Sequence, residues 1–354
     1  MQAVISPMRY NAQMKKKLLN ILKYIILLIV AVALLLYALK GMDIKKIMQQ
    51  MLHANMFWIS VSGLISIIAF VVRAHRWNLL IEPMGYSPSL KNTTYSVVVG
   101  YFANLALPRL GEVSRCGALS KAESIPFNKL LGTVIVERII DVISLFICIL
   151  LAAAIEYKRL GNFFTERVFD PLNEKFQQLI RSPLLLAAII LLLIVLIIAV
   201  VYFLKKSKSK GSESPITKII TGFVNGLRSV ANLKRPWLFI FQSTFIWVLY
   251  YLGVYVALFA FPFTSGLGAG AALFLLVAGR LGMSAPVQGG IGTYHLLVSQ
   301  GLVLYGVAVE NGLAFAFMLH GLQLILVIAL GVTSLFLLFS AGKNKQVNSV
   351  PIKD

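Results

Sequence analysis

The residues best suited to chemistry are arginines and carboxylates that lie in otherwise apolar segments. Arg109, Glu112 and Arg115 follow Pro108 at intervals of three residues, so a helix beginning after Pro108 would carry all three on one face. Arginine offers a planar fork of N–H donors, and a helix N-terminus adds free backbone N–H groups. This pattern predicts a site for a phosphate headgroup. The alternative is that Glu112 only neutralises the two arginines at a membrane surface.

A second charged group lies in the apolar stretch V-I-V-E-R-I-I-D-V-I. Glu137 and Asp141 are four residues apart, and Arg138 is three residues from Asp141. Ionisable groups flanked by Val and Ile must face away from lipid, so we expect them to pair with Arg109 or Arg115 across the helix bundle. With Glu112 they form a predicted charge network. A purely structural salt-bridge role is the alternative.

Arg280 has no acidic residue near it in the sequence. At membrane depth it needs a partner, which could be Glu137, Asp141 or a ligand anion. Asn104 and two glycines also lie near interruptions of the apolar sequence, and glycine lets the backbone approach a ligand closely. Tight helix packing is the alternative for the glycines. The predicted headgroup site therefore comprises Arg109, Arg115, Arg280, Asn104, Gly289 and Gly290.

Two similar interruptions must position these residues. They read A-L-P-R-L-G-E at 106–112 and S-A-P-V-Q-G-G at 284–290. Pro108 and Pro286 each remove a backbone donor, and Gly111 and Gly292 free the backbone, so neither segment should form a plain spanning helix. Corresponding Gly/Pro interruptions in two halves of a chain indicate a transport site. Chance is the alternative, because the chain has 26 Gly and 12 Pro.

Composition predicts an all-α polytopic membrane protein. Hydrophobic residues make up 58% of the chain and charged residues 13%, about half of what a soluble domain carries. The pattern predicts about six full spans and two broken or re-entrant segments, at 92–120 and 265–310. The first apolar run is too long for a signal peptide and suits a retained span. The predicted spans are 18–39, 56–76, 130–155, 183–204, 238–261 and 312–340.

Lys and Arg residues set the predicted orientation. Placing both termini in the cytoplasm puts 23 of the 33 basic residues on that side. Each half then has three spans, so the second half is inverted relative to the first, as in many transporters. We expect a bacterial inner (cytoplasmic) membrane protein. Its predicted parts are a segment 1–17, a transmembrane domain 18–340 with halves 18–155 and 183–340 joined by a basic linker 205–237, and a tail 341–354.

Several functions are not expected from this sequence. Two cysteines and four histidines lack metal-ligand spacing, and there is no Walker A, GxSxG or HExxH motif, so we expect no metal, cofactor, catalytic residue or enzymatic activity. Nucleic-acid binding is not expected, because the net charge of +20 is spread over short loops. The R-x-x-R-W pattern of Arg73, Arg76 and Trp77 indicates an interfacial anchor, with headgroup contact as the alternative.

These motifs together resemble the flippase-like transmembrane family of lysylphosphatidylglycerol synthases, also called the UPF0104 family. The resemblance rests on R-x-x-R-W at 73–77, N-L-A-L-P-R-L-G-E-V-S-R at 104–115, E-R-I-I-D at 137–141 and P-V-Q-G-G-I-G at 286–292, and it covers about 15–340. The family often has an acidic residue after the final glycines. Here Thr293, Tyr294 and His295 stand in that place, so no acid-dependent role is expected there.

The resemblance implies a membrane domain that moves lipids between leaflets. We expect anionic lipids as partners, either phospholipid or aminoacyl-phospholipid, with a polyprenyl phosphate as the alternative. Lysine transfer is not expected, because no synthase domain follows before Asp354. Two other readings remain open. One is a scaffold that recruits a lipid-modifying or glycosylation enzyme through the linker, and the other is an enzyme on a lipid phosphate with Glu137 or Asp141 as base.

Overall fold

The structure, a computed structural model, describes residues 28–164 and 233–347 together with Leu22 and Ile26. The chain divides into two compact units, one of residues 1–152 with 233–354 and one of residues 153–232. In the described part of the second unit, Arg159 Nη1 lies 3.5 Å from Glu156 Oε2. All features below belong to the first unit, except those of residues 153–164, which lie in the second.

Within the described ranges all the regular secondary structure is helical. The first half contains α1 (Leu28–Leu39), α2 (Ile44–Leu52), α3 (Met56–Ile81), α4 (Leu90–Ala106), α5 (Leu110–Glu123), α6 (Phe127–Ile155) and α7 (Tyr157–Phe164). The second half contains α8 (Pro236–Leu258), α9 (Ala269–Ser284), α10 (Thr293–Val303) and α11 (Val309–Val347). Short 3₁₀-helices lie at Glu82–Met84 and Gln288–Gly290. Polar N-caps begin α2, α3 and α4, where Asp43, Asn55 and Ser89 accept hydrogen bonds from the first turn.

Four described helices are long and apolar enough to cross a membrane: Met56–Met84, Phe127–Ile155, Pro236–Leu258 and Val309–Leu338. They correspond to four predicted spans, so the prediction of an all-α polytopic membrane protein is confirmed. Helix α1 covers the described part of the predicted span 18–39. The predicted span 183–204, the segment 1–17 and the linker up to residue 232 lie outside the described residues, as does the tail after Val347.

The first break, residues 107–109, separates α4 from α5. Leu107 has extended backbone, and Arg109 has φ 66°, a left-handed conformation that is uncommon for a residue other than glycine. Asn104 Oδ1 accepts a 2.7 Å hydrogen bond from the Gly111 N–H, so the last turn of α4 caps the first turn of α5. The proline interruption is therefore confirmed, but α5 begins two residues after Pro108.

The second break, residues 285–292, separates α9 from α10. Three of its glycines have positive φ: 58° at Gly289, 74° at Gly290 and 83° at Gly292. Thr293 Oγ1 donates to the Gly282 carbonyl at 2.7 Å, which closes the turn. Both interruptions predicted from proline and glycine are thus real helix breaks.

The two halves repeat one order of elements, a long helix, a broken pair and another long helix. Their first long helices, α3 and α8, pack against each other in antiparallel fashion. Ser62 Oγ donates to the Gly253 carbonyl at 2.8 Å, and Arg76 Nη1 lies 3.4 Å from Ser243 Oγ, so the contacts advance along one helix and recede along the other. An inverted repeat requires this arrangement of equivalent helices. The symmetry of the halves and their orientation in a membrane stay predictions.

Candidate functional site

A buried ion cluster joins α3, α5 and α6. Arg76 Nη2 lies 3.2 Å from Glu137 Oε1 and 2.8 Å from Asp141 Oδ1. Arg73 contacts both carboxylates, with its Nη2 2.6 Å from Asp141 Oδ2. Arg115 Nη2 lies 2.9 Å from Glu137 Oε2, and its guanidinium stacks 4.7 Å from the ring centroid of Trp77. The Glu137 side chain is 0% exposed, so its charge is stabilised by these arginines rather than by water.

This cluster corrects several assignments made from the sequence. The interfacial-anchor prediction is wrong for Arg73, Arg76 and Trp77, because all three side chains are buried inside the protein. Trp77 Nε1 donates to Thr133 Oγ1 at 2.8 Å instead of reaching a membrane surface. The expected pairing of Arg115 with the carboxylates of α6 is found. Arg115 is consequently engaged by Glu137, which corrects its assignment to the headgroup site.

The predicted shared face of α5 is also incorrect for Arg109. Because α5 begins at Leu110, Arg109 precedes the helix as its N-cap, and its side chain is exposed whereas that of Arg115 is buried. Within the described ranges Arg109 has neither a hydrogen bond nor an ion pair, and the expected pairing with Glu137 or Asp141 is absent. Its guanidinium remains available to a ligand.

A cavity of about 290 Å³ is lined by both breaks, and we call it the interbreak cavity. Four charged residues line it: Arg109, Glu112, Arg138 and Arg280. Three arginines against one glutamate give the lining an excess of positive charge. Polar and backbone groups complete the wall. The lining includes Tyr101, Asn104, Pro108, Pro286, Gly289, Gly290, His320 and Gln323. Five of the six predicted headgroup residues thus share one cavity.

Arg280 has no carboxylate at ion-pair distance among the described residues. Its guanidinium carbon instead lies 3.7 Å from the ring centroid of Tyr250 on α8. Tyr250 in turn accepts a 3.2 Å hydrogen bond from Arg73 Nη1. The partners expected from the sequence, Glu137 and Asp141, bind Arg73 and Arg76. Arg280 therefore keeps hydrogen-bonding capacity for an anion in the cavity.

Arg138 belongs to the predicted charge network and also lines the interbreak cavity. Its side chain is 44% exposed, and its nitrogens lie 3.7 Å from Glu112, 3.9 Å from Glu137 and 3.9 Å from Asp141, at the outer limit for ion pairs. Arg138 was not predicted to line the headgroup site. Helical geometry favoured this position, because Arg138 follows Glu137 directly and must point to a different side of α6. Tyr250, His320 and Gln323 carried no such signal.

The donors around the cavity suit an anion rather than a metal ion. No group of three or more His, Cys, Asp or Glu residues that could hold a metal lies within the described part of the chain. Three guanidinium groups match a phosphate, which accepts several hydrogen bonds at once. The walls also present the apolar side chains of Leu105, Leu324 and Val327.

Comparison with known proteins gives consistent matches. Residues 22–331 match the family model "Lysylphosphatidylglycerol synthase TM region". The UPF0104 membrane protein MJ1595 of Methanocaldococcus jannaschii is 32% identical over 35% of this chain and 38% of its own length. The UPF0104 membrane protein PH1989 of Pyrococcus horikoshii is 29% identical over 37% of this chain and 40% of its own length. Less than half of each relative's length is thus matched. No solved structure matches the chain at a significant level.

Proposed function

The chain belongs to the lysylphosphatidylglycerol synthase TM region family, and from this premise we propose that it binds anionic lipid headgroups and moves the lipids between leaflets. The observation that carries the proposal is the interbreak cavity, with three arginines and a single glutamate in its wall. An arginine without a carboxylate partner inside a membrane protein is costly unless it serves a ligand. Arg280 meets that description among the described residues.

In the proposed mechanism the phosphate enters the interbreak cavity while its acyl chains stay in lipid. Arg109 and Arg280 approach the phosphate from the first and second breaks, and Arg138 adds a third guanidinium. The backbone at Gly289 and Gly290 allows close approach, because neither residue has a side chain. The buried ion cluster fixes α3, α5 and α6, and so holds the first break in place while the headgroup passes.

The substrate class in this proposal is a lipid that bears a phosphate, and the lipid leaves unchanged. Phosphatidylglycerol and its aminoacyl forms fit, and a polyprenyl phosphate presents the same charge. We place the protein in the cytoplasmic membrane with both termini in the cytoplasm. A lipid-modifying enzyme as partner would supply or consume the transported lipid.

Translocation in vesicles tests the proposal. Purified protein is reconstituted, and the outer-leaflet fraction of fluorescent phosphatidylglycerol or phosphatidylcholine is followed by chemical quenching. We expect Arg280→Ala and Arg109→Ala to slow phosphatidylglycerol movement roughly tenfold or more, because a charge-assisted hydrogen bond contributes about 1.5–3 kcal/mol.

The matched control is Arg235→Ala, which removes an exposed arginine at the start of α8 outside the cavity lining. It should translocate like the unmodified protein. Equal rates for all three variants would refute the headgroup site. Wild-type vesicles that move neither lipid would refute translocation, and lipid recovered with altered mass would indicate an enzyme instead.

A further inference from the structure

Two buried histidines connect Gly289, within the second break, to Gly292 at its end through a chain of hydrogen bonds. The Gly292 N–H donates to His295 Nδ1 at 3.3 Å, and His295 Nε2 lies 3.3 Å from His320 Nδ1. His320 Nε2 lies 2.8 Å from the Gly289 carbonyl oxygen. The two histidines are only 4% and 1% exposed. The chain of bonds therefore spans the break from its second half to its end.

The two backbone groups determine where the ring hydrogens sit. A backbone N–H can only donate and a carbonyl can only accept, so His295 Nδ1 carries no hydrogen and His320 Nε2 carries one. The bond between the rings needs one hydrogen, which His295 Nε2 supplies. Both rings are consequently neutral, each with its hydrogen on Nε2, and all three hydrogen bonds are satisfied.

One additional proton disturbs this chain at a single place. The proton comes from solvent, and either ring can carry the charge, because the hydrogen between the rings can move from one nitrogen to the other. In both cases the extra hydrogen ends on His295 Nδ1, where it faces the Gly292 N–H. The bond to Gly292 is lost while the other two remain. Gly292 is the N-cap of α10, so protonation removes the side-chain cap that His295 provides at the start of that helix.

The surroundings of the pair leave a positive charge without a side-chain counterion. No carboxylate lies at ion-pair distance from either ring in the described part of the chain. The α1 residues against Gly292, Ala31, Leu34 and Leu35, do not ionise. Tyr294 packs 5.0 Å from His320 between ring centroids. The other ionisable groups that line the cavity with His320 are Tyr101, Arg109, Glu112, Arg138 and Arg280.

We propose that the His295–His320 pair is a proton site coupled to the anion site of the interbreak cavity. An anionic headgroup provides the counterion that the protonated pair lacks, so headgroup binding and uptake of one proton favour each other. Uptake removes this cap from the N-terminus of α10, which lets the end of the second break change shape with the lipid bound. This inference rests on the proposed function for the nature of the anion.

Calorimetry tests the coupling with short-chain phosphatidylglycerol as the probe and the full-length chain in detergent. Titrations in buffers of different ionisation enthalpy count the protons taken up for each lipid bound. We expect the wild type to take up protons with the lipid in a number that grows toward one as the pH is lowered, and an affinity that rises by at most about tenfold for each unit of pH lowered, because one proton is linked.

The variant His295→Gln, which changes no residue of the cavity lining, should bind the probe with no proton uptake, and His320→Gln should likewise take up no proton. Glutamine at 320 can still donate to the Gly289 carbonyl, so the break keeps one of its hydrogen bonds. His53→Gln and His75→Gln are matched controls, because these two histidines do not line the cavity, and they should take up the proton as the wild type does.

The outcomes separate the two proposals. Probe binding without proton uptake between about pH 8 and about pH 5, where histidine titrates, overturns the proton site and leaves the anion site standing. No binding at any pH overturns both. Nitrogen-15 NMR of labelled histidine adds a direct check, because a hydrogen on Nδ1 of His295 at neutral pH would contradict the chain of bonds described above.

Discussion

At the scale of single residues, Glu137 is the side chain on which the buried ion cluster depends. Its carboxylate contacts Arg73, Arg76 and Arg115, none of which has more than 5% of its side chain exposed. Removing charges from water is costly, and each charge here is tolerated only because opposite charges surround it. Glu137 is the shared partner of all three arginines, whereas Asp141 reaches two of them.

We predict that Glu137→Gln destabilises the protein by about 3–5 kcal/mol, the usual cost of removing one partner of a buried pair. The substitution keeps the shape of the side chain and removes its charge, leaving three arginines with Asp141 alone. Thermal unfolding in detergent measures the loss. Glu310→Gln is the control, because Glu310 has no ion pair among the described residues and should change stability by at most about 1 kcal/mol. A Glu137→Gln protein as stable as the wild type would contradict this account of the cluster.

The residue scale also shows where the sequence was insufficient. The pairing of Arg115 with α6 was predictable, since isolated opposite charges in apolar segments must meet. The burial of Arg73 and Arg76 was not predictable. Arginines followed by tryptophan at the end of a span are equally consistent with an anchor at the membrane surface. Their partners lie 61 to 68 residues further along the chain. Only the tertiary arrangement of α3 and α6 brings these groups together.

At the scale of elements, each broken pair of helices packs through glycine. A Cβ atom on Gly111 would lie 2.5 Å from Asn104 Nδ2 and closer still to the Gly100 carbonyl oxygen. In the second pair, a Cβ on Gly282 would lie 2.7 Å from the Tyr294 Cα. Small residues let membrane helices approach this closely. The breaks therefore need glycine beside them as well as proline within them.

We predict that Gly111→Ala destabilises the protein by about 1–3 kcal/mol, because the added methyl group forces α4 and α5 apart. Gly117→Ala on the same helix is the matched control, since its Cβ would meet no atom within 4 Å. Alanine there should be neutral or stabilising by at most about 1 kcal/mol, as expected from helix propensity. Thermal unfolding of the two variants measures the difference in stability. Equal stability of the two would contradict the close contact between α4 and α5 at Gly111.

The sequence predicted the existence of these breaks better than their shape. Pro108 and Pro286 located both interruptions, because proline cannot continue a helix hydrogen-bond ladder. The left-handed conformation of Arg109 could not be foreseen, since arginine has no preference for positive φ. Arg109 lies in this turn and lines the cavity, and so the geometry of the site depends on a backbone conformation that the sequence did not predict.

At the scale of the whole molecule, the two halves meet where α3 and α8 run antiparallel. Arg73 on α3 and Tyr250 on α8 connect the buried ion cluster to Arg280, across the joint between the halves. A change in the first half can therefore reach the arginine of the second break through one hydrogen bond and one stacked ring. This connection is a consequence of the antiparallel contact between α3 and α8. The distribution of Lys and Arg in the loops predicted inverted halves, but it did not predict this contact.

The inverted arrangement makes a prediction about sidedness. If the halves are inverted, the α4–α5 pair enters from the cytoplasm and the α9–α10 pair from outside, so the loops before α4 and before α9 lie on opposite sides of the membrane. Ser87 and Ser265 are exposed positions in these two loops. Single-cysteine variants Ser87→Cys and Ser265→Cys, made with Cys116 and Cys148 replaced by alanine, report the side directly.

In intact cells, a membrane-impermeant maleimide should label Ser265→Cys and leave Ser87→Cys unlabelled until the membrane is opened. The charge distribution explains the expectation, because the cytoplasmic side holds the larger share of Lys and Arg. The parent protein without cysteine controls for background labelling. Labelling of both positions from outside would place the two broken pairs on the same side and would rule out the inverted repeat. Labelling of Ser87→Cys alone would keep the inversion and reverse the orientation, so that the headgroup cavity would be entered through the opposite break first.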